Sequence, residues 1–241
     1  MTSVDLETPR SVLAIGAHPD DVEFGCGATL AKWANDGSDV HLLVLTDGAK
    51  GTWDPSADLA ELVTTRVEEQ EAAAKLLGAR ATSNLGVVDG ELTEAEGARA
   101  AICAAVRQVR PSVVIGHDPW KRYRLHPDHR HGGFLTVDAL VAARDPHFYP
   151  DQGFEPFRAD ALLLFEADEP DHVERVDTTL DRKVEALLAH RSQWRSTLGI
   201  DPRDPDPGIE AFVGRVRSEA IAAGAFAGVP LGEAFKLLTD L

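Results

Sequence analysis

Short apolar segments alternate with segments of helical periodicity along most of this chain. Ser11–Ala17 (SVLAIGA) and Ser112–Gly116 (SVVIG) are almost wholly apolar, and Asp39–Thr46 (DVHLLVLT) is rich in apolar residues. Strands with helices on both faces have this composition, and strands that alternate with helices form a mainly parallel sheet. We therefore predict an α/β fold, with a weaker strand at 81–85, further strands at 161–165 and 173–176, and helices at 25–35, 59–77, 94–110, 132–143, 180–190 and 209–223.

The length and the charge of the chain bound its class. A chain of 241 residues suits one domain, over 1–241. The net charge of −16 argues against a nucleic-acid partner, because polyanions would be repelled. No apolar run reaches membrane-spanning length, the first residues lack the features of a signal peptide, and two cysteines form no disulfide framework. We therefore expect a cytoplasmic protein with no nucleic-acid partner and no membrane partner.

Two four-residue motifs, HPDD at 18–21 and HPDH at 126–129, each follow one of the apolar strands. Because the carboxyl ends of parallel strands meet at one edge of a sheet, the fold can bring the two motifs together. Proline favours an extended residue before it and suits the first turn of a helix, so the first and fourth residues point to one side. One such motif alone is also ordinary loop chemistry, since Asp caps helices. Two of them after buried strands indicate a functional site.

Together the motifs contain the ligands of a catalytic metal ion. Zinc in hydrolases takes three protein ligands and leaves one position for water, and His18, Asp21 and His129 supply that number. A bound ion can lower the pKa of its water from about 16 to about 7. Because His and Asp ligands accept several divalent ions, Fe²⁺ is an alternative to Zn²⁺.

Further side chains near the motifs are candidates for proton transfer and support. Asp20 is adjacent to a ligand but points elsewhere, so we predict that it is the general base. Asp128 would keep His126 protonated, because a nearby opposite charge raises the pKa of a histidine. The imidazolium could then stabilise a tetrahedral oxyanion and protonate a leaving amine. His117 ends a strand in the same region, and we predict that it supports the site rather than binding the ion.

Several segments of the chain resemble the LmbE/PIG-L-like family of zinc-dependent N-acetylglucosaminyl deacetylases, which includes the deacetylases of mycothiol and bacillithiol synthesis. The resemblance rests on the segments AIGAHPDDVEFGCGATLAKW, LVLTDGAKGT, TTRVEEQEAAAKLLG, LGVVDGEL, RLHPDHRHGG and KVEALLAHRSQW. It implies a Rossmann-like three-layer sandwich in a single domain. It also implies a small-molecule substrate, an amino-sugar derivative from which an N-acyl group, usually acetyl, is hydrolysed. Relatives often assemble, so a homo-oligomer is left open.

The resemblance also bears on individual residues. It implies the metal ligands, the general base and the charged histidine named above, and it makes Arg66 a substrate contact. Relatives in the mycothiol branch carry a tyrosine two residues before the catalytic histidine, where this chain has Arg124 and where Tyr123 is one position away. We predict that Arg124 binds substrate as part of a positive rim that attracts a carboxylate or phosphate. The alternative is ordinary ion pairing at the surface. The rim comprises Lys121, Arg122, Arg124 and Arg130.

Two other functions compete with deacetylation of an amino sugar. One is the hydrolysis of larger N-acyl or thiol conjugates, or of a glycosylated secondary metabolite. The other is a nucleotide-binding Rossmann module with a structural metal. That module would need a phosphate-binding glycine loop after the first strand, where this chain has HPDD.

Overall fold

Within residues 2–241, which the computed structural model describes, eight strands form one sheet. The strand order is β1-β7-β8-β6-β5-β2-β3-β4. Strand β8 is antiparallel to both β6 and β7, and the other neighbouring strands are parallel, which confirms the predicted mainly parallel sheet. The strands are β1 (Ser3–Val4), β2 (Ser11–Gly16), β3 (Asp39–Thr46), β4 (Ala81–Val87), β5 (Val113–His117), β6 (Ala161–Phe165), β7 (His172–Arg175) and β8 (Gly232–Leu238).

Helices cover both faces of this sheet. They are α1 (Asp21–Asn35), α2 (Leu59–Leu76), α3 (Ala98–Val109), α4 (Pro127–Arg144), α5 (Leu180–Ala189) and α6 (Pro205–Ala225). Side chains alternate along a strand, so Val12 and Ala14 of β2 pack against α1, α2 and α5. Leu13 and Ile15 pack on the opposite face, against α3 and α4. The result is the predicted three-layer α/β sandwich in a single domain.

Most element boundaries agree with the sequence-based ones, and the differences have local causes. Helix α4 begins at Pro127 and α6 at Pro205, both earlier than predicted, because proline occupies the first turn in each. Helix α3 begins later than predicted, after Gly97, which has a φ of +87°. Strands β1 and β8 were not predicted from the sequence. Strand β1 has two residues, and the pairing of β8 between β6 and β7 is visible only in the folded sheet.

The topology places both motifs at one edge of the sheet. Strands β2 and β5 are parallel neighbours, and the chain continues from β2 to β3 on one side and from β5 to β6 on the other. Ligands of open α/β sheets bind at such a switch point, beyond the carboxyl ends of the strands. The HPDD motif follows β2 directly, and the HPDH motif follows β5 after a loop. The two motifs therefore meet there.

Candidate active site

The HPDD motif forms a strained turn between β2 and α1. Asp20 has a φ of +96°, a left-handed conformation that is costly for a residue with a side chain. Its backbone N–H donates to Gln70 Oε1 at 3.1 Å, and Arg66 donates to the carbonyl of Pro19. These two side chains of α2 hold the turn, which leaves His18 and Asp21 directed toward the second motif.

His18, Asp21 and His129 bring their ligand atoms together at this edge. His18 Nδ1 lies 3.2 Å from His129 Nε2, and His129 Nε2 lies 3.3 Å from Asp21 Oδ1. His18 Nδ1 lies 3.3 Å from the other oxygen of Asp21, Oδ2. Adjacent ligand atoms of a tetrahedral zinc ion are about 3.3–3.4 Å apart, given bonds of about 2.0–2.1 Å. The spacing of these side chains therefore fits a metal ion.

Three further combinations of nearby His and Asp side chains could also contribute to a cation site. Ligand atoms approach within 4.8 Å of one another in three overlapping groups: His18 with His126 and His129, Asp21 with His117 and His129, and His18 with Asp89 and Asp128. The predicted ligands belong to the first two groups. The third group lies at the other nitrogen of the His18 ring, where hydrogen bonding accounts for it.

Asp128 contacts His18 and not His126. Its Oδ2 lies 3.2 Å from His18 Nε2, and its oxygens accept from the backbone of Gly90 at 2.6 Å and of Leu92 at 3.2 Å. Burial would raise the pKa of Asp128, but these hydrogen bonds outweigh burial and lower it. A carboxylate on one nitrogen of a histidine fixes the ring and its tautomer, so Asp128 holds the His18 ring with Nδ1 facing His129.

Asp89 is a residue of the site that the sequence analysis missed. Its Oδ1 lies 3.2 Å from His18 Nε2, and its Oδ2 accepts from the backbone N–H of Lys50 at 2.9 Å. Asp89 lies in the segment LGVVDGEL, just beyond the carboxyl end of β4. A polar residue at that edge of a parallel sheet is the signal that could have identified it.

His126 borders the cluster without the predicted carboxylate partner. Its ring centroid is 4.6 Å from that of His18 and 4.7 Å from that of His129. Among the hydrogen bonds described for residues 2–241, none joins His126 to Asp128. Burial and the neighbouring His18 and His129 lower the pKa of His126. This arrangement lacks the hydrogen bond to Asp128 that would raise the pKa of His126 and keep its imidazole protonated.

Asp20 is buried beside the cluster, and its carboxyl group titrates near neutrality. Burial raises the pKa of Asp20 to about 7, with Arg66 opposing and Asp21 reinforcing the shift. Its Oδ2 lies 3.2 Å from Arg66 Nη2. A carboxyl group with a pKa near the working pH can both accept and return a proton, as a general base must.

Arg66 forms a wall of the cavity and is only 3% exposed. Besides its contacts with the HPDD turn, it donates from Nη1 to the carbonyl of Gly48 at 2.9 Å. A Cβ atom at Gly48 would lie 2.7 Å from the same Nη1, so a glycine is needed there. The guanidinium therefore holds two loops at the site besides facing the cavity.

The site opens into a cavity of about 790 Å³. The cavity is lined by the three predicted metal ligands and by Asp20, His126, Arg66, Phe24, Lys50, Asp89, His117, Lys121, Phe165, Glu166, Gln193, Thr197 and Glu219. Pockets of this size hold small ligands, with apolar walls and a few polar groups that orient the ligand. None of the helices within residues 2–241 is both long enough and apolar enough to cross a membrane.

The predicted positive rim is only partly present at this cavity. Lys121 lines it, whereas Arg122 pairs with Asp168 at 3.3 Å, and Arg130 donates to backbone carbonyls. The Arg124 side chain is 5% exposed and is enclosed by His117 and Glu166. Arg124 therefore lies behind the site, which does not fit the predicted contact with substrate.

Glu23 and His190 form a buried pair of titratable side chains close to Asp20. Gln70 Nε2 donates to Glu23 Oε1 at 2.7 Å, whereas Glu23 Oε2 is 3.9 Å from His190 Nε2, beyond hydrogen-bonding distance. Burial raises the pKa of Glu23 to about 8 and lowers that of His190 to about 3. Both groups are therefore uncharged at neutral pH. His190 belongs to the segment AHRSQW, which also brings Gln193 to the cavity wall.

The sheet topology and the residues around the cavity define the class of this protein. A doubly wound α/β sheet carries a cluster of His and Asp side chains at its switch point, and a buried carboxyl group with a pKa near 7 adjoins that cluster. Such perturbed groups in a cleft are typical of active sites, and the protein is an α/β enzyme whose His/Asp cluster could hold a metal ion.

Comparisons with known proteins identify the family. The PIG-L family model, described as GlcNAc-PI de-N-acetylase, matches residues 13–140, and the chain belongs to this family. Diacetylchitobiose deacetylase of Thermococcus kodakarensis is 35% identical over 188 residues, which cover 77% of this chain and 70% of the relative. The N,N'-diacetylchitobiose deacetylase structure from Pyrococcus horikoshii superimposes with a TM-score of 0.85 at 31% identity, over 96% of this chain and 84% of that one.

A second group of relatives is matched over a smaller part of its length. The 1D-myo-inositol 2-acetamido-2-deoxy-alpha-D-glucopyranoside deacetylase of Streptomyces avermitilis is 35% identical over 170 residues, which cover 60% of this chain. These residues represent 57% of that relative, so this chain spans little more than half of its length.

Proposed function

We propose that this protein hydrolyses the acetamide of an N-acetylglucosamine derivative and releases acetate and a free 2-amino group. The observation that carries the proposal is the grouping of three side chains on the cavity wall: His18 Nδ1 and His129 Nε2 lie 3.2 Å apart, and each lies 3.3 Å from one oxygen of the Asp21 carboxylate. Membership in the PIG-L family and the deacetylase relatives support the same reaction.

In this proposal, His18, Asp21 and His129 hold a zinc ion. When bound, the ion supplies Lewis-acid polarisation of the amide carbonyl and lowers the pKa of a water. Asp20 accepts a proton from the attacking water, for which its pKa near 7 is suited. His126 donates a hydrogen bond to the developing oxyanion, and Asp20 returns to the leaving amine the proton that it took from the water. Asp128 and Asp89 orient His18.

The size and the lining of the cavity favour a short saccharide as substrate. A volume of about 790 Å³ admits more than one sugar ring, and Phe24 provides apolar surface for a ring face. Lys50 and Lys121 provide hydrogen-bond donors. The matched relatives act on diacetylchitobiose and on an N-acetylglucosaminyl inositol, and the broader coverage of the first group favours a diacetylchitobiose-like substrate.

The test is to measure metal content together with acetate and amine release from N-acetylglucosamine, diacetylchitobiose and N-acetylglucosaminyl inositol. We expect chelation to abolish hydrolysis and Zn²⁺ or Fe²⁺ to restore it, which identifies the ion. Asp20→Asn should retain the metal and lose about 10²–10⁴-fold in kcat. His129→Ala should lose the metal, and Arg122→Ala is a matched control outside the cavity. Hydrolysis that survives complete metal removal, or no hydrolysis of any of these acetamides, would refute the proposal.

A further inference from the structure

A chain of contacts runs from Glu166, whose side chain is 46% exposed at the cavity, through the buried Arg124 and His117 to Asp21. Glu166 follows β6 and pairs with Arg124 Nη2. Arg124 Nη1 lies 2.9 Å from Nδ1 of His117, the last residue of β5. His117 Nε2 lies 3.1 Å from Asp21 Oδ2. His117 is 2% exposed, so no solvent competes at its ring nitrogens.

The contact with Arg124 bears on which nitrogen of His117 carries the proton. A guanidinium group remains charged and has donors but no acceptor. Its contact at 2.9 Å therefore requires the lone pair of His117 Nδ1, and the proton of the neutral ring lies on Nε2. That proton points to Asp21 Oδ2, so both contacts of His117 become hydrogen bonds.

A neutral His117 with its proton on Nδ1 would gain one weaker hydrogen bond and lose the two to Arg124 and Asp21. The backbone nitrogen of Ala17 lies 3.2 Å from His117 Nε2 and could donate only if Nδ1 held the proton. In that state a donor of His117 would face a donor of Arg124, and its lone pair would face the carboxylate of Asp21. Hydrogen bonds to charged groups are about twice as strong as neutral ones, so the Nε2–H tautomer is favoured.

The Nε2–H tautomer orients the carboxylate of Asp21. Oδ2 accepts from the His18 backbone N–H at 2.7 Å and from His117 Nε2 at 3.1 Å, so both donors engage the same oxygen. The other oxygen, Oδ1, faces His129 Nε2 at 3.3 Å. The carboxylate thus presents Oδ1 to the position between the two motifs.

We propose that Arg124, anchored by Glu166, is a positioning residue that sets the tautomer of His117 and thereby directs Asp21 Oδ1 toward the metal ion. The inference rests on the proposed function in one respect, the assignment of Asp21 as a metal ligand. It gives Arg124 a role in positioning the ligands, with no contact to substrate.

The first test measures the tautomer in the wild-type protein. Long-range proton–nitrogen NMR correlations of labelled histidine distinguish an Nε2–H ring, an Nδ1–H ring and a doubly protonated ring, and His117→Gln identifies the signal of this residue by its loss. We expect His117 to be an Nε2–H ring both without metal and with zinc. An Nδ1–H ring or a doubly protonated ring would overturn the inference.

The second test compares zinc affinity by competition with a chromophoric chelator. We expect Arg124→Met to weaken zinc binding by about 10–100-fold, as the loss of partners behind metal ligands typically does. Arg122→Met is the matched control, because Arg122 is 72% exposed at its side chain, and its affinity should equal that of the wild type. Thermal unfolding checks that each metal-free variant is folded. If Arg124→Met does not fold, Glu166→Gln takes its place, and we expect weaker zinc binding for it as well.

The outcomes separate this inference from the proposed function. Equal zinc affinity in Arg124→Met and the wild type would overturn the inference and leave the deacetylase proposal intact. A wild-type protein that binds no zinc and no iron would refute the proposed metal site, and the affinity role of Arg124 with it. An Nε2–H ring that persists in Arg124→Met would show that Arg124 does not set the tautomer.

Discussion

The buried His190 predicts a specific dependence of stability on pH. Its ring is fully buried, and neither Nδ1 nor Nε2 has a hydrogen-bond partner among the described residues. Burial lowers the pKa of His190 to about 3, with Arg66 adding to the shift, against 6.5 for an unfolded histidine. The stability that the neutral, buried His190 contributes to the fold is therefore fully present above pH 6.5. It is lost as the pH falls toward 3, because in that range only the unfolded chain takes up the proton.

The magnitude follows from proton linkage. Between pH 7.5 and pH 5.5 an unfolded histidine becomes mostly protonated, while the folded His190 stays neutral. One pH unit below the unfolded pKa corresponds to about 1.4 kcal/mol of lost stability. Replacing His190 by Gln removes this titration. The free energy of unfolding of His190→Gln, relative to the wild type, should therefore rise by about 1.4 kcal/mol between pH 7.5 and pH 5.5.

Glu23 acts in the opposite direction, so the comparison must be made between variants. The pKa of Glu23 is about 8 in the folded protein, above the 4.5 of an unfolded glutamate. The stability that Glu23 contributes to the fold is therefore present below pH 4.5 and is lost as the pH rises through 8. Urea unfolding of metal-free wild type, His190→Gln, Glu23→Gln and the double variant separates the two residues. A free-energy difference between His190→Gln and the wild type that stays constant from pH 7.5 to pH 5.5 would refute the buried, neutral histidine.

Two substitutions test the packing around the cavity. Asp128→Asn replaces a buried carboxylate, which accepts from three donors, with an amide whose NH₂ group would face one of those donors. The free energy of unfolding of the metal-free protein, measured in urea, should fall by about 1–3 kcal/mol. An unchanged stability would contradict the hydrogen bonds to Gly90 and His18. Gly25→Ala would place a Cβ 2.5 Å from the ring of Phe165 and should lower the free energy of unfolding by about 1–3 kcal/mol. Gly214→Ala is the control, because Gly214 is also in a helix but has open space around it, and this variant should not be destabilised. Equal effects of the two substitutions would contradict the close approach of Gly25 to Phe165.

Local sequence determines much of this protein. The almost wholly apolar β2 and β5 have the composition of strands buried on both faces, and their assignment needs no tertiary information. Proline at the second position of each motif acts on the residues beside it, so the strand exit and the helix start are also local properties. These features predicted the α/β fold and the edge of the sheet at which the motifs meet, whereas the family was predicted from the resemblance of several segments.

Tertiary structure alone decided which side chains are partners. Asp128 lies two residues from His126 in sequence but contacts His18, because the start of α4 directs its carboxylate toward β2. Arg124 carries a charge that predicts an exposed rim, yet it is buried because Glu166, 42 residues away, compensates that charge. The antiparallel insertion of β8 next to β6 likewise joins segments far apart in the chain. Composition and spacing describe single segments, whereas burial and pairing arise only when distant segments meet.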